Sequence, residues 1–190
     1  MSPITVGVLA LQGDYALHGR LLAQLDVGVR MVRRPGELAG CTALVLPGGE
    51  STTLRKLLRR SGLDHAIVEF AREFPVLGTC AGCILLATEL DDGHGVEPLG
   101  LLDISVLRNG YGRQVDSFEA VVEGVDQAGP VAFIRAPRIT RVGDGVEVWG
   151  LRGEEVVAVR CGLASALTFH PEVTGSLAWH RDWLQRVGVA

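Results

Sequence analysis

No stretch of this 190-residue sequence is apolar for long enough to cross a bilayer; runs such as 6–11 and 84–87 fall far short of the roughly 20 residues required. The opening Met1-Ser2-Pro3-Ile4-Thr5 is not a basic region leading into a long apolar stretch, so no export signal is read there and a cytoplasmic location is expected, with no membrane partner. Charge of one sign is scarce: 18 Lys and Arg against 22 Asp and Glu leave a net −4. The basic residues are scattered rather than gathered into a stripe interleaved with aromatics, which speaks against nucleic acid as a partner. Cysteines number four (Cys41, Cys80, Cys83, Cys161), and without an export signal reactive or buried thiols are expected instead of a disulfide framework. Neither G-x-x-x-x-G-K-[ST] nor G-x-G-x-x-G occurs, so a nucleotide loop has no support.

What is present describes an ordinary globular protein: 47 % hydrophobic and 21 % charged residues, with 25 glycines suited to tight strand-to-helix turns. Apolar runs at 4–11, 27–32, 43–46 and 75–78 read as strands. Between them lie helical patterns: Leu17, Leu21, Leu22 and Leu25 at helical spacing, 52–74 interrupted near Ser61-Gly62, and a helix from Ala81 or Gly82 to about Leu90. This alternation implies a parallel sheet with helices on both sides. Beyond Gly95 short strands are read at 104–107, 114–122, 131–134, 146–151, 156–161 and 164–168, several of them antiparallel additions at the sheet edge, closed by a helix over 175–187. The expectation is one α/β domain over 1–190, a three-layer, mostly parallel sheet flanked by helices.

The chemistry concentrates in Phe74-Pro75-Val76-Leu77-Gly78-Thr79-Cys80-Ala81-Gly82, where a buried strand ends in Gly-x-Cys-x-Gly and passes into a helix. This is the cysteine counterpart of the nucleophile elbow, whose strained turn excludes bulk two residues either side of the nucleophile. A helix start favours a thiolate at Cys80, and the Ala81 N–H faces where an oxyanion would form. A buried structural cysteine at a glycine-rich turn is the bland alternative. Cys80-Ala81-Gly82-Cys83 is also a C-x-x-C, open to a redox or zinc reading. Zinc lacks a second close pair, and Cys83 opens a core-like run with Ile84, Leu85, Leu86 and Ala87.

A thiol nucleophile needs a base, and the base needs a carboxylate to fix its tautomer. Phe169-His170-Pro171-Glu172 supplies both at one strand exit, stiffened by proline; a surface His-Pro turn is the alternative. His18, His65, His94 and His180 lack such a partner nearby in sequence and read as surface or satisfied residues. Pro47-Gly48-Gly49 after the third strand lets backbone N–H groups turn inward, which fits a second oxyanion donor.

Together these residues resemble the triad-type (class I) glutamine amidotransferases, and among them the glutaminase subunits of pyridoxal 5′-phosphate synthase. The matching stretches run in order along the chain: 7–13 (GVLALQG), 46–52 (LPGGEST), 78–82 (GTCAG), 108–119 (RNGYGRQVDSFE), 133–137 (FIRAP) and 169–172 (FHPE). The resemblance implies Cys80 as nucleophile, with His170 and Glu172 completing the triad, and Gly48, Gly49 and Ala81 around the oxyanion. It also implies a glutamine site lined by Gly48, Gly49, Glu50, Arg108, Ile134 and Arg135. Read physically, an arginine such as Arg108 suits the substrate carboxylate and Glu50 its ammonium. The same likeness implies L-glutamine as substrate, no metal or organic cofactor, and a synthase subunit that takes up the ammonia. Docking of that subunit, near Gln12, would complete the oxyanion hole. Leu17 stands where the family usually has Glu, and Cys83 where an aliphatic residue is common. A glutaminase serving another ammonia-using synthase, or a non-catalytic binding subunit of the same fold, are the competing readings.

Overall fold

The computed structural model describes residues 4–91, 96–111 and 117–188. The first apolar run forms β1 (Thr5–Leu9), followed by α1 (Tyr15–Leu22), β2 (Gly28–Val32), a 3-10 turn at Pro35–Leu38 and β3 (Ala43–Leu46). The interrupted helical pattern resolves into α2 (Ser51–Ser61) and α3 (Leu63–Phe70), divided at Gly62 with φ +74°. Then come β4 (Val76–Thr79), α4 (Ala81–Leu86), β5 (Ala87–Leu90), β6 (Leu102–Leu107), β7 (Phe118–Val121) and β8 (Pro130–Phe133). The chain closes with β9 (Arg138–Val142), β10 (Glu147–Arg152), β11 (Glu155–Cys161), β12 (Ala164–Leu167), α5 (Pro171–Thr174) and α6 (Ala178–Arg186).

Three of these differ from the sequence expectation. The helix after Cys80 stops at Leu86 instead of continuing to Leu90. Its last carbonyls are captured from outside: Leu99, Leu101 and Gly100 donate N–H bonds to Leu85, Leu86 and Ala87 at 2.7, 2.9 and 3.0 Å. The following residues then pair with β6 as a strand. β9 was not anticipated, because its Arg138-Ile139-Thr140-Arg141-Val142 carries two arginines and hides its alternation. The closing helix expected over 175–187 is α6, whereas the short α5 before it, ended by Gly175 at φ +75°, was not anticipated. Of the strand expected at 114–122, residues 114–116 lie outside the described residues and β7 covers Phe118–Val121.

The main sheet has seven strands in the order β10-β11-β12-β4-β3-β1-β2. Pairing is parallel from β2 to β12, and antiparallel where β11 and β10 extend the edge. Alternate residues of β3 serve opposite faces: Leu44 and Leu46 join the core under α2, α3 and α4, whereas Ala43 and Val45 join the core under α1 and α6. That is why the strand reads as continuously apolar. β5, β6 and β9 form a separate small sheet, and β7 with β8 a two-stranded ribbon, so not all later strands extend the main sheet. The carboxyl ends of β1, β3, β4 and β12 lie side by side. In an open parallel sheet, this is where ligands are received.

Candidate active site

Cys80 sits between β4 and α4 with φ +48° and ψ −102°, a conformation that costs a non-glycine residue of order 1–3 kcal/mol and persists only when the surroundings enforce it. They do so here. The Cys80 N–H donates to the Leu167 carbonyl at 2.8 Å, and its own carbonyl accepts from Ile84 at 3.2 Å. A side chain on Gly78 would run into the Gly82 carbonyl, and one on Gly82 into the Leu46 carbonyl, so both elbow glycines are sterically required. Cys80 is 5 % exposed, with Sγ 3.8 Å from the Ile134 carbonyl. Cys83 faces the core with no exposure, and burial, together with neighbouring Cys80, pushes its thiol far up. Both are free thiols.

His170 leaves β12 and caps α5. Its N–H donates to the Ala132 carbonyl of β8 at 2.8 Å, so the ribbon β7–β8 fixes the height of the base. Its Nδ1 pairs with Glu172 Oε1 at 2.7 Å, leaving Nε2 for the sulfur of Cys80. Burial alone would lower the imidazole; neighbouring Cys80 and the Glu172 carboxylate reverse that and hold it well above 6.5. Glu172 is 4 % exposed. Burial would raise its carboxyl, but the imidazoles of His18 and His170 outweigh this and keep it far below the usual range.

Above Cys80 and His170 lies an open cavity of about 250 Å³. Gln12, Gly49, Glu50, Arg108, Ile134 and Arg135 line it with the two catalytic candidates, together with Asp14, Ser51, Ile84 and Asn109, which sequence reasoning missed. Gly48 meets His170 instead: a Cβ there would overlap the imidazole. Ala81 begins α4, where N–H groups have no acceptor within the helix. Gly49 has φ +153°, and the Glu50 N–H donates to Gln12 Oε1 at 2.8 Å, which braces the Gly-Gly turn. Glu50 caps α2, receiving the N–H and hydroxyl of both Thr52 and Thr53 at 2.6–3.2 Å. A cavity of similar size, about 260 Å³, near Trp149, Cys161 and Trp183 has no histidine in its wall.

The fold is shared with known proteins. The profile of the SNO glutamine amidotransferase family matches residues 8–189. The chain belongs to that family. It is 48 % identical over 192 residues to "Pyridoxal 5′-phosphate synthase subunit PdxT" of Deinococcus radiodurans, covering 97 % of this chain and 98 % of the relative. The protein of the same name from Mycolicibacterium vanbaalenii is 50 % identical over 188 residues, covering 95 % and 96 %. A solved structure described as a glutamine amidotransferase superposes with a TM-score of 0.89 at 43 % identity, covering 96 % of this chain and 98 % of that one. PurLQS from Thermotoga maritima shares the fold alone, with a TM-score of 0.66 at 17 % identity.

Within this SNO-family framework the remaining histidines divide. His65 is exposed and His94 lies outside the described residues. His18 and His180 have no exposure, and His18 does face a carboxylate, that of Glu172, brought to it from far along the chain. A signal existed in the sequence: His18 precedes Leu21 and Leu22 by three and four residues and so shares their apolar helix face. Asp14, by contrast, is exposed, and its carboxylate lies within 4.8 Å of a His170 nitrogen and a Glu172 oxygen. No pattern in the sequence marked it.

Proposed function

We propose that Cys80, His170 and Glu172 are the triad with which this SNO-family amidotransferase hydrolyses L-glutamine. The ammonia passes to the synthase subunit of a cytoplasmic pyridoxal 5′-phosphate synthase. One observation carries the reading: a cysteine held on a strained elbow beside an imidazole whose far nitrogen is fixed by a buried carboxylate at 2.7 Å. The PdxT name of relatives 46–50 % identical over nearly their full length supports the partner.

The thiolate of Cys80 attacks the side-chain amide carbon of glutamine, forming a C–S bond while the carbonyl electrons move onto oxygen. N–H groups of Ala81 and the Gly48–Gly49 turn hold that oxygen; one such donor is worth about 3 kcal/mol in other enzymes. His170, protonated, donates to the nitrogen as the C–N bond breaks, and ammonia leaves. The resulting thioester is attacked by water, whose proton His170 takes, and the C–S bond breaks to return the thiolate and release glutamate. Arg108 pairs with the α-carboxylate. Glu50, whose oxygens already serve Thr52 and Thr53, contributes negative potential near the ammonium more than a free acceptor.

The test is glutamate release with and without the synthase subunit, for the native chain and for Cys80→Ala. Expected is low turnover alone, strong stimulation by the partner, and loss of at least about a thousandfold in the variant. Undiminished release by Cys80→Ala would remove the triad assignment, and a high rate indifferent to the partner would remove the coupling.

A further inference from the structure

Behind the triad lies a buried chain of polar groups that the reaction above does not use. His18 projects from α1 with no exposure, and its Nε2 lies 3.4 Å from Glu172 Oε2 and 3.1 Å from Thr79 Oγ1. Its Nδ1 lies 2.9 Å from Nε2 of His180, which comes from α6 and is equally buried. Four elements (α1, β4, α5 and α6) therefore contribute to one buried polar cluster centred on His18.

The protonation pattern follows from counting donors. His180 Nδ1 is buried with no hydrogen-bond partner. A buried N–H without an acceptor is expensive, whereas a bare ring nitrogen in apolar surroundings is less so. The proton of His180 thus belongs on Nε2, where it is donated to His18 Nδ1. His18 in turn carries its proton on Nε2, donated to Thr79 Oγ1, with Glu172 Oε2 beside it at 3.4 Å. Burial pushes His180 down to about 3, so that ring is neutral and fit for this tautomer. Both arrows of the relay then point the same way, from His180 through His18 to Thr79, beside Glu172.

We infer that His18 is a positioning residue: its ring, anchored by His180 and Thr79 with Nε2 facing Glu172 Oε2 at 3.4 Å, fixes the Glu172 carboxylate so that Oε1 holds the His170 imidazole in line with Cys80. Glu172 is buried and its Oε2 has no hydrogen-bond partner among the described residues; His18 Nε2, 3.4 Å away, is the polar neighbour facing it, so loss of His18 leaves that oxygen against apolar surroundings and the carboxylate held through Oε1 alone. His18 does not touch the cavity, so glutamine affinity is left to other residues. Polar groups that act through the residue contacting the chemistry typically alter activity about 10- to 100-fold when removed.

This inference rests on the triad assignment, and the experiment separates the two. Steady-state glutaminase kinetics are measured on the full chain in complex with its synthase subunit, for native, Cys80→Ala, His18→Leu, His18→Gln and His18→Asn proteins. The Gln amide can place an N–H where His Nε2 stood; the Asn amide reaches only the Nδ1 position. Expected for His18→Leu is a fall in kcat of about 10- to 100-fold with KM for glutamine nearly unchanged. His18→Gln should recover the larger part of that loss and His18→Asn should not. A native kcat in folded His18→Leu, or equal rates for the Gln and Asn variants, overturns the proposal. Should the Leu variant fail to fold, the Gln–Asn comparison decides alone. Activity persisting in Cys80→Ala would instead overturn the triad itself.

Discussion

At the scale of single residues, the site is governed by what lacks a side chain as much as by what has one. Gly48 has no need of unusual backbone angles, yet a methyl group there would occupy the space of the His170 imidazole. Gly48→Ala should therefore displace the base and leave the elbow and the cavity wall intact. Misplacement of a catalytic group by about 1 Å can cost on the order of 100-fold in rate. The expected outcome is a kcat reduced by about that factor, with the midpoint of thermal unfolding only modestly lowered; a native kcat would mean that the ring has room to move. The elbow, the His-Pro-Glu exit and the Pro-Gly-Gly turn were legible because each packs its steric demands into a few consecutive residues. His18 and Asp14 were not, because their meaning depends on partners from elsewhere in the chain. His18 in particular finds its carboxylate only after α1 and α5 come together.

At the scale of elements, Glu50 shows how a residue chosen for one role serves another. It looked like a substrate acceptor and stands at the N-cap of α2, its oxygens bonded to Thr52 and Thr53. Burial would raise its carboxyl, but those hydroxyl and N–H donors outweigh it and hold it at about 2, below the ordinary 4.5. A depressed folded-state value means that the contribution to stability is complete above about pH 4.5 and is lost as pH falls towards 2. Glu50→Ala should cost about 1 kcal/mol at neutral pH, as N-cap removal generally does. Urea unfolding at pH 7 and at progressively lower pH provides the check: the gap between native and variant should narrow in that window. A gap independent of pH would deny the carboxylate its capping role. Strand β9 and the shortened α4 escaped the sequence for a related reason. Their states are set by pairing with β6 and by N–H groups arriving from 99–101, neither of which leaves a local pattern.

For the whole molecule, the parallel order of β1, β3, β4 and β12 was readable from the alternation of strands and helices, and it alone brings four loop segments to one edge. What the alternation could not convey is how the last helix secures that edge. α6 buries Trp179 completely, with its ring 4.9 Å from Phe169 and 5.2 Å from Trp149. Phe169 is the residue before the base, and the residue after Trp179 is His180, which hydrogen-bonds His18, the neighbour of Glu172 Oε2 at 3.4 Å. One indole thus supports the triad from the front, through the strand exit, and from behind, through the histidine pair. Trp179→Ala should lower unfolding stability by about 3–5 kcal/mol, the usual loss for a buried tryptophan, which is a large share of the 5–15 kcal/mol a domain commonly possesses. Conditions that keep the variant folded should still show a reduced kcat with KM for glutamine nearly native, because the cavity wall is built from other segments. Denaturant midpoints read the first effect and kinetics in the assembled synthase the second. A variant that unfolds at the native midpoint, or one that loses glutamine affinity before it loses rate, would show that α6 is not the support described.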